Sequence, residues 1–299
     1  MTASANPSTT LASSRKLIVA AFPELADRSF ALARHGWDSV AVIVGDEWVF
    51  KFPRHDAAAA RLLKEARLLE AIRPRLSMPV PEMTVFEEPP VFSRHRMLAG
   101  DYLTPAACAA LSETGRERIA GQLARFYAEL HALDRTRLAA LGAGPIAGWL
   151  STAEIAKKAL PLLPEDFRRR GEEALGAYER LSPDPCGEPF GFFDGHGWNL
   201  AFDADREQLN GVYDFGDSGF GPLHQEFIYS SLSSFDLTDG IVSAYEGLTG
   251  RRLDRDRIDL LTGLHGLSEL AEIAVEPDKV PAGVDRVIAW MTHAGASSD

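Results

Sequence analysis

Near Gly100 the chain changes its periodicity, and that break sets what it can fold into. Before it, apolar residues recur in short strand-like runs over 29–34, 39–44 and 47–52, with Gly45-Asp46 as the turn of a hairpin between the last two. A helical pattern follows over 57–72, where Leu62, Ala66, Leu69 and Ile72 share one face. Pro74, Pro79 and Pro81 end it and start an extended stretch that leads to strands expected at 83–86 and 91–98. Beyond Gly100 the pattern is mostly helical. Ile119, Leu123, Phe126, Tyr127 and Leu130 make an amphipathic stripe, and further helices are expected over 155–160, 166–178, 227–235, 240–248 and 258–274. The fold class is therefore α+β. A small β-rich unit over 15–98 is expected to join a larger helical unit over 99–299, behind a disordered tail of small polar residues over 1–14. Two units on a short connection place a ligand in the cleft between them.

Composition narrows the function classes. Of 299 residues, 45% are hydrophobic and 25% charged, as in ordinary globular proteins, and no apolar run reaches membrane-spanning length. The N-terminus lacks the basic start and apolar stretch of a secretory signal. The two cysteines, Cys108 and Cys186, are far apart and without a metal-ligand spacing, which suits a reducing, cytoplasmic location and argues against a disulfide framework or a zinc site. A net charge of −12 is a poor match for nucleic acid. It favours a cationic small partner, although solubility alone also accounts for it.

Two motifs carry the chemistry. Asp194 and Asn199 stand five positions apart after the apolar run Phe190-Gly191-Phe192-Phe193, and Asp214-Phe215-Gly216 closes the run Gly211-Val212-Tyr213. Phosphoryl transfer requires such a set: one carboxylate to orient a hydroxyl, with an amide oxygen and a second carboxylate as hard ligands for Mg²⁺. Capping turns are the other reading of both aspartates. In the first unit, Lys51 shares a strand face with Val49, and Glu65 lies on the apolar face of the following helix. A carboxylate on a core-facing stripe is costly unless paired, and Lys51 is its nearest cation along the fold. A snorkelling lysine and a boundary glutamate remain the alternatives.

With these motifs in place, the chain resembles the aminoglycoside phosphotransferases, and among them the enzymes that act on the 2″-hydroxyl. The resemblance spans nearly everything after residue 25. It includes Gly36-Trp37-Asp38-Ser39, Phe50 to His55, Leu76 to Glu82, Leu123 to Leu133, Asp194 to Asn199, and Asp214 through Tyr229. It implies a two-lobed protein-kinase-like fold that moves the γ-phosphoryl of ATP or GTP, with Mg²⁺, onto a hydroxyl of an aminoglycoside or a similar small molecule such as a sugar, a choline-like compound or a macrolide. Asp194 would be the catalytic base, Asn199 and Asp214 the metal ligands, Lys51 the phosphate contact and Glu65 its orienter. Ser39 would lie in the turn over the phosphates, and Arg96, Met97 and Leu98 would form a hinge whose backbone meets the purine. Asp217, Glu226 and Asp236 are the acceptor-side candidates, with a turn role open for Asp217.

Two departures stand beside the resemblance. The family's histidine two positions before the base is Phe192 here, which also admits a non-catalytic nucleotide-binding module. The strongly acidic acceptor helix is reduced to Asp236 and Asp239 within 233–240. The first unit also lacks a glycine-rich loop, as is usual in the family. His131 reads as a structural histidine and Trp198 as a packing residue.

Overall fold

The computed structural model describes residues 10–33, 39–88 and 90–296. The smaller lobe is a five-stranded antiparallel sheet in the order β1-β2-β3-β5-β4, from β1 (Phe30–Leu32), β2 (Ser39–Val44), β3 (Trp48–Pro53), β4 (Thr84–Phe86) and β5 (Phe92–Arg96). Alternation gives the sheet two unlike faces. Val40, Val42, Val44, Phe50, Phe52 and Phe92 form a buried cluster with Ile18 of α1 (Leu11–Ala21), while Ser39, Ala41, Ile43, Val49 and Lys51 face the inter-lobe cleft. The expected tail is corrected for its last residues: Thr10 caps α1 through a reciprocal pair of bonds with Ser13, and Ser14 and Ile18 are buried. Residues 1–9, and the turn at 36–38, lie outside the described residues.

Helix α2 (Asp56–Ile72) follows β3, capped by His55, and buries Ala58, Leu62, Glu65, Leu68, Leu69 and Ile72. Its last three apolar residues belong to the core of the larger lobe, so the lobe boundary near residue 98 is not a boundary between cores.

That core is built on α4 (Glu113–His131) packed against α8 (Phe235–Thr249), after the short α3 (Pro105–Ala110) and before α5 (Arg135–Ala140). A second cluster joins α6 (Thr152–Lys158), α7 (Glu165–Glu179), α9 (Arg255–Glu272) and α10 (Val280–Ala296). Between the helices run two small antiparallel pairs. They are β6 (Phe190–Gly191) with β9 (Gly219–Phe220), and β7 (Leu200–Asp203) with β8 (Gln208–Val212).

The helix expected over 227–235 is instead two 3₁₀ segments, Leu223–Phe227 and Tyr229–Leu232, before α8. Ser230 and Ser231 donate their hydroxyls to the carbonyls of Phe227 and Ile228, and such local bonds compete with helix formation. Cys186 lies with Asp184 and His224, their ligand atoms within 4.8 Å of one another. Both ring nitrogens of His224 are already used: Nδ1 bonds Asp184 and Nε2 accepts from the Asp254 amide. The trio fastens the 3₁₀ segment to α9.

Candidate active site

The cleft between the lobes is a cavity of about 830 Å³. On its upper wall Lys51 is placed by β3, paired with Ala41 on one side and Ser93 on the other. Its Nζ donates to Glu65 Oε1 at 3.2 Å and to Asp214 Oδ1 at 3.0 Å. Glu65 is 4% exposed, and the same Oε1 accepts from the Phe215 amide at 3.1 Å. One glutamate thus ties β3 of the small lobe to the segment after β8 of the large one. Burial works against the Lys51 cation, but the charges of Glu65 and Asp214 outweigh it and raise its pKa above the ordinary value. Burial raises the pKa of the Glu65 carboxyl despite Lys51, and the Lys51 charge holds Asp214 below the usual carboxylate range.

On the lower wall, Asp194 and Asn199 lie on the loop between β6 and β7. Asn199 Nδ2 donates to Asp194 Oδ2 at 2.6 Å and to the Asp194 carbonyl at 3.0 Å. His196 Nε2 is 3.2 Å from Asp194 Oδ1, so both carboxylate oxygens are held. Burial disfavours the imidazolium, but the hydrogen bond and charge of Asp194 raise the His196 pKa. Asp214 adopts φ +73°, which a non-glycine residue adopts at a cost of about 1–2 kcal/mol.

Phe192, where the resembling enzymes have histidine, is fully buried, its ring 4.9 Å from Phe215 and 5.8 Å from Phe126. The loop is held instead through its backbone. The amides of Phe192 and Phe193 donate to Glu226 Oε2 at 2.9 Å and Oε1 at 2.8 Å. His131 Nε2 lies 3.3 Å from that carboxylate, and its Nδ1 is 2.9 Å from the Tyr245 hydroxyl. A methyl group at Gly191 would stand 2.0 Å from Glu226 Oε2, so only glycine admits the brace.

Ser39, Lys51, Glu65, Met97, Leu98, Asp194, Asn199, Asp214 and Asp217 all line the one cleft. Three expected residues do not. Glu226 is 0% exposed and cannot meet an acceptor; it is the loop's brace. Arg96 turns outward, pairs with Glu47 and lies over the Trp48 ring at 4.5 Å, leaving only its backbone to the hinge. Asp236 is exposed in the first turn of α8, outside the residues that line the cleft. Trp198, expected to pack, is 37% exposed at the cleft mouth beside His196. His131 is structural, as expected.

The sequence reading missed His95, which lines the cleft from β5, opposite Val49. It shares the alternation of Ser93, the strand partner of Lys51, and that parity was the available signal. The donor set suits a hard cation. Asp214 keeps a half-exposed carboxylate, and Asn199, whose amide nitrogen is spent on Asp194, has its amide oxygen left to coordinate.

Three solved structures share the architecture across nearly their whole length. Wild-type aminoglycoside 2′-phosphotransferase-IIIa in its GDP complex is 20% identical, with a TM-score of 0.81 over 96% of this chain and 100% of that one. The GDP and kanamycin complex of APH(2″)-IIIa is 21% identical, with a TM-score of 0.77 over 93% and 98%. The macrolide 2′-phosphotransferase MphH from Brachybacterium faecium is 17% identical, with a TM-score of 0.65 over 91% and 97%. The fold is thus the two-lobed, kinase-like one that the sequence implied. The family model described as the phosphotransferase enzyme family matches residues 29–261, a span that holds every group gathered in the cleft, and the chain belongs to that family.

Proposed function

We propose that this chain is a small-molecule kinase that moves the γ-phosphoryl of ATP or GTP to a hydroxyl of an aminoglycoside or a similar compound. One observation carries the reading: an ammonium held by Glu65 and Asp214 faces, across a single cleft, a carboxylate held by Asn199 and His196. The first pair suits phosphate oxygens and the second suits a hydroxyl proton.

In this mechanism Asp194 orients the acceptor hydroxyl and takes its proton as the acceptor oxygen bonds to the γ-phosphorus. The bond from that phosphorus to the bridging oxygen breaks, and the nucleoside diphosphate leaves. Lys51 meets the phosphate oxygens, kept in place by Glu65. Asn199 and Asp214 would hold Mg²⁺, which when bound neutralises phosphate charge. Positioning and charge supply most of the rate in such a site. Phe192 does not unseat the base, because Glu226 fixes the same stretch of backbone, so nothing in the site favours a purely binding role.

Kanamycin and macrolide enzymes share the fold, and the net charge of −12, with Asp101, Asp194 and Asp217 lining the cleft, favours a cationic acceptor. A cytoplasmic location, where nucleoside triphosphates are abundant, suits this chemistry. The test is diphosphate release from ATP and GTP with Mg²⁺ across a panel of aminoglycosides, macrolides and simple sugars. Transfer to at least one acceptor is expected, falling by at least about 100-fold in Asp194→Ala with nucleotide binding retained. Nucleotide binding without transfer to any acceptor would overturn the reading.

A further inference from the structure

We propose that His95 reads the purine: its Nε2 accepts a hydrogen bond from the 6-amino group of adenine, so the cleft takes ATP in preference to GTP. This rests on the cleft being the nucleotide site.

His95 sits on β5 opposite Val49, on the sheet face that also carries Ala41 and Lys51. It therefore lies on the inner wall of the cleft, next to the Met97-Leu98 crossing. The residue is 5% exposed, and its Nδ1 is 2.9 Å from the Arg96 carbonyl oxygen. A carbonyl only accepts, so Nδ1 carries the hydrogen. Burial disfavours the imidazolium and lowers the pKa to about 4, leaving the ring neutral near pH 7. Nε2 is then a lone-pair acceptor, and among the described residues it has no hydrogen-bond partner.

The tautomer is locked. Turning Nε2 into a donor would aim the Nδ1 lone pair at the Arg96 oxygen inside a buried strand, and an unmatched buried polar pair is costly.

The crossing segment offers backbone groups as well. The Arg96 oxygen receives His95 and keeps a second lone pair that also favours a donor, while the Met97 amide is taken by the Glu47 carbonyl at 2.8 Å. The Leu98 amide has no hydrogen-bond partner among the described residues. Ala41, Ile43, Val49 and Leu62 supply apolar walls for the ring faces. A base seated between them meets one fixed acceptor at its inner edge. Adenine presents a donor at its 6-position, whereas guanine presents a carbonyl oxygen there, which sets two lone pairs against each other in a dry pocket. Sites built around a buried polar group discriminate strongly against ligands that leave it unmatched.

The experiment is equilibrium titration of the full chain, without acceptor, using ATP, GTP and purine riboside triphosphate, which has hydrogen in place of the 6-amino group. ATP is expected to bind about tenfold or more tighter than either of the others. His95→Met should bring the three to within about threefold of one another. His95→Gln, whose amide offers either a donor or an acceptor, should also lose the preference. The comparison is of ratios within one variant, so it holds if a substitution lowers overall affinity. Wild-type protein that binds GTP as tightly as ATP, or His95→Met with an unchanged ratio, would overturn the proposal. A base preference without transfer to any acceptor would support it while overturning the kinase reading. Failure of all three nucleotides to bind would overturn both.

Discussion

Lys51 shows how much a single side chain holds in this molecule. Its ammonium is the only cation bonded to the buried Glu65 among the described residues, and removing one partner of a buried pair leaves an uncompensated charge. Lys51→Met is therefore expected to lose roughly 3–5 kcal/mol of stability as well as productive nucleotide use. Adding Glu65→Gln should restore much of the stability but none of the activity, as read from urea midpoints and turnover in the single and double variants. His95 gives a pH signature of the same kind. Its folded pKa of about 4 lies below the ordinary 6.5, so between those values the unfolded chain binds a proton that the folded chain refuses. The contribution is present above pH 6.5 and is lost as pH falls toward 4, by roughly 3 kcal/mol. His95→Met should show a flatter decline, checked by denaturant midpoints at pH 7, 5.5 and 4.5. Lys51 and Glu65 were legible in sequence because alternation and helical phase place them together. The tautomer of His95 was not, because its partner is a backbone carbonyl, which every residue carries.

At the scale of elements, the loop that carries Asp194 is shaped by its supports. Glu226 stands on a 3₁₀ segment and accepts from two consecutive amides of the run before Asp194. A glutamine there offers one acceptor oxygen where two are needed. Glu226→Gln should cost about 1–3 kcal/mol and lower kcat more than it raises the KM for nucleotide, which denaturation and steady-state kinetics would separate. An unchanged kcat would show that the brace does not set the base. Sequence periodicity found α2, α4, α7 and α9 because each carries several turns of an apolar stripe. It missed α3 and α5, which have six residues each, α1, whose start lay in the expected tail, and α10, which carries Pro281 near its start. A proline in the first turn removes no helical hydrogen bond, so α10 tolerates it. The role of Glu226 was hidden because an acid among apolar neighbours signals burial or a ligand equally well. Only the approach of Gly191 distinguishes them.

The whole molecule is two lobes that share structure. Leu68, Leu69 and Ile72 of α2 are buried in the core of the larger lobe, and Glu65 bonds across the cleft to the Phe215 amide. The chain is therefore expected to unfold in one cooperative transition, with calorimetric and van't Hoff enthalpies in agreement. Two resolved transitions would show that the lobes are independent. The break at Gly100 made the two lobes legible, but it could not reveal that α2 serves both. The interior position of Glu226 has an evolutionary corollary. The loop that carries Asp194, the base in the proposed reaction, is anchored from beneath through the Phe192 and Phe193 amides by an acid closed off from the cleft, whereas Trp198 and Asp217 line the cleft itself. In the proposed reaction, substitutions around the rim would retune which acceptors are admitted while that buried support stays fixed, and selection for a new acceptor would find its variation there.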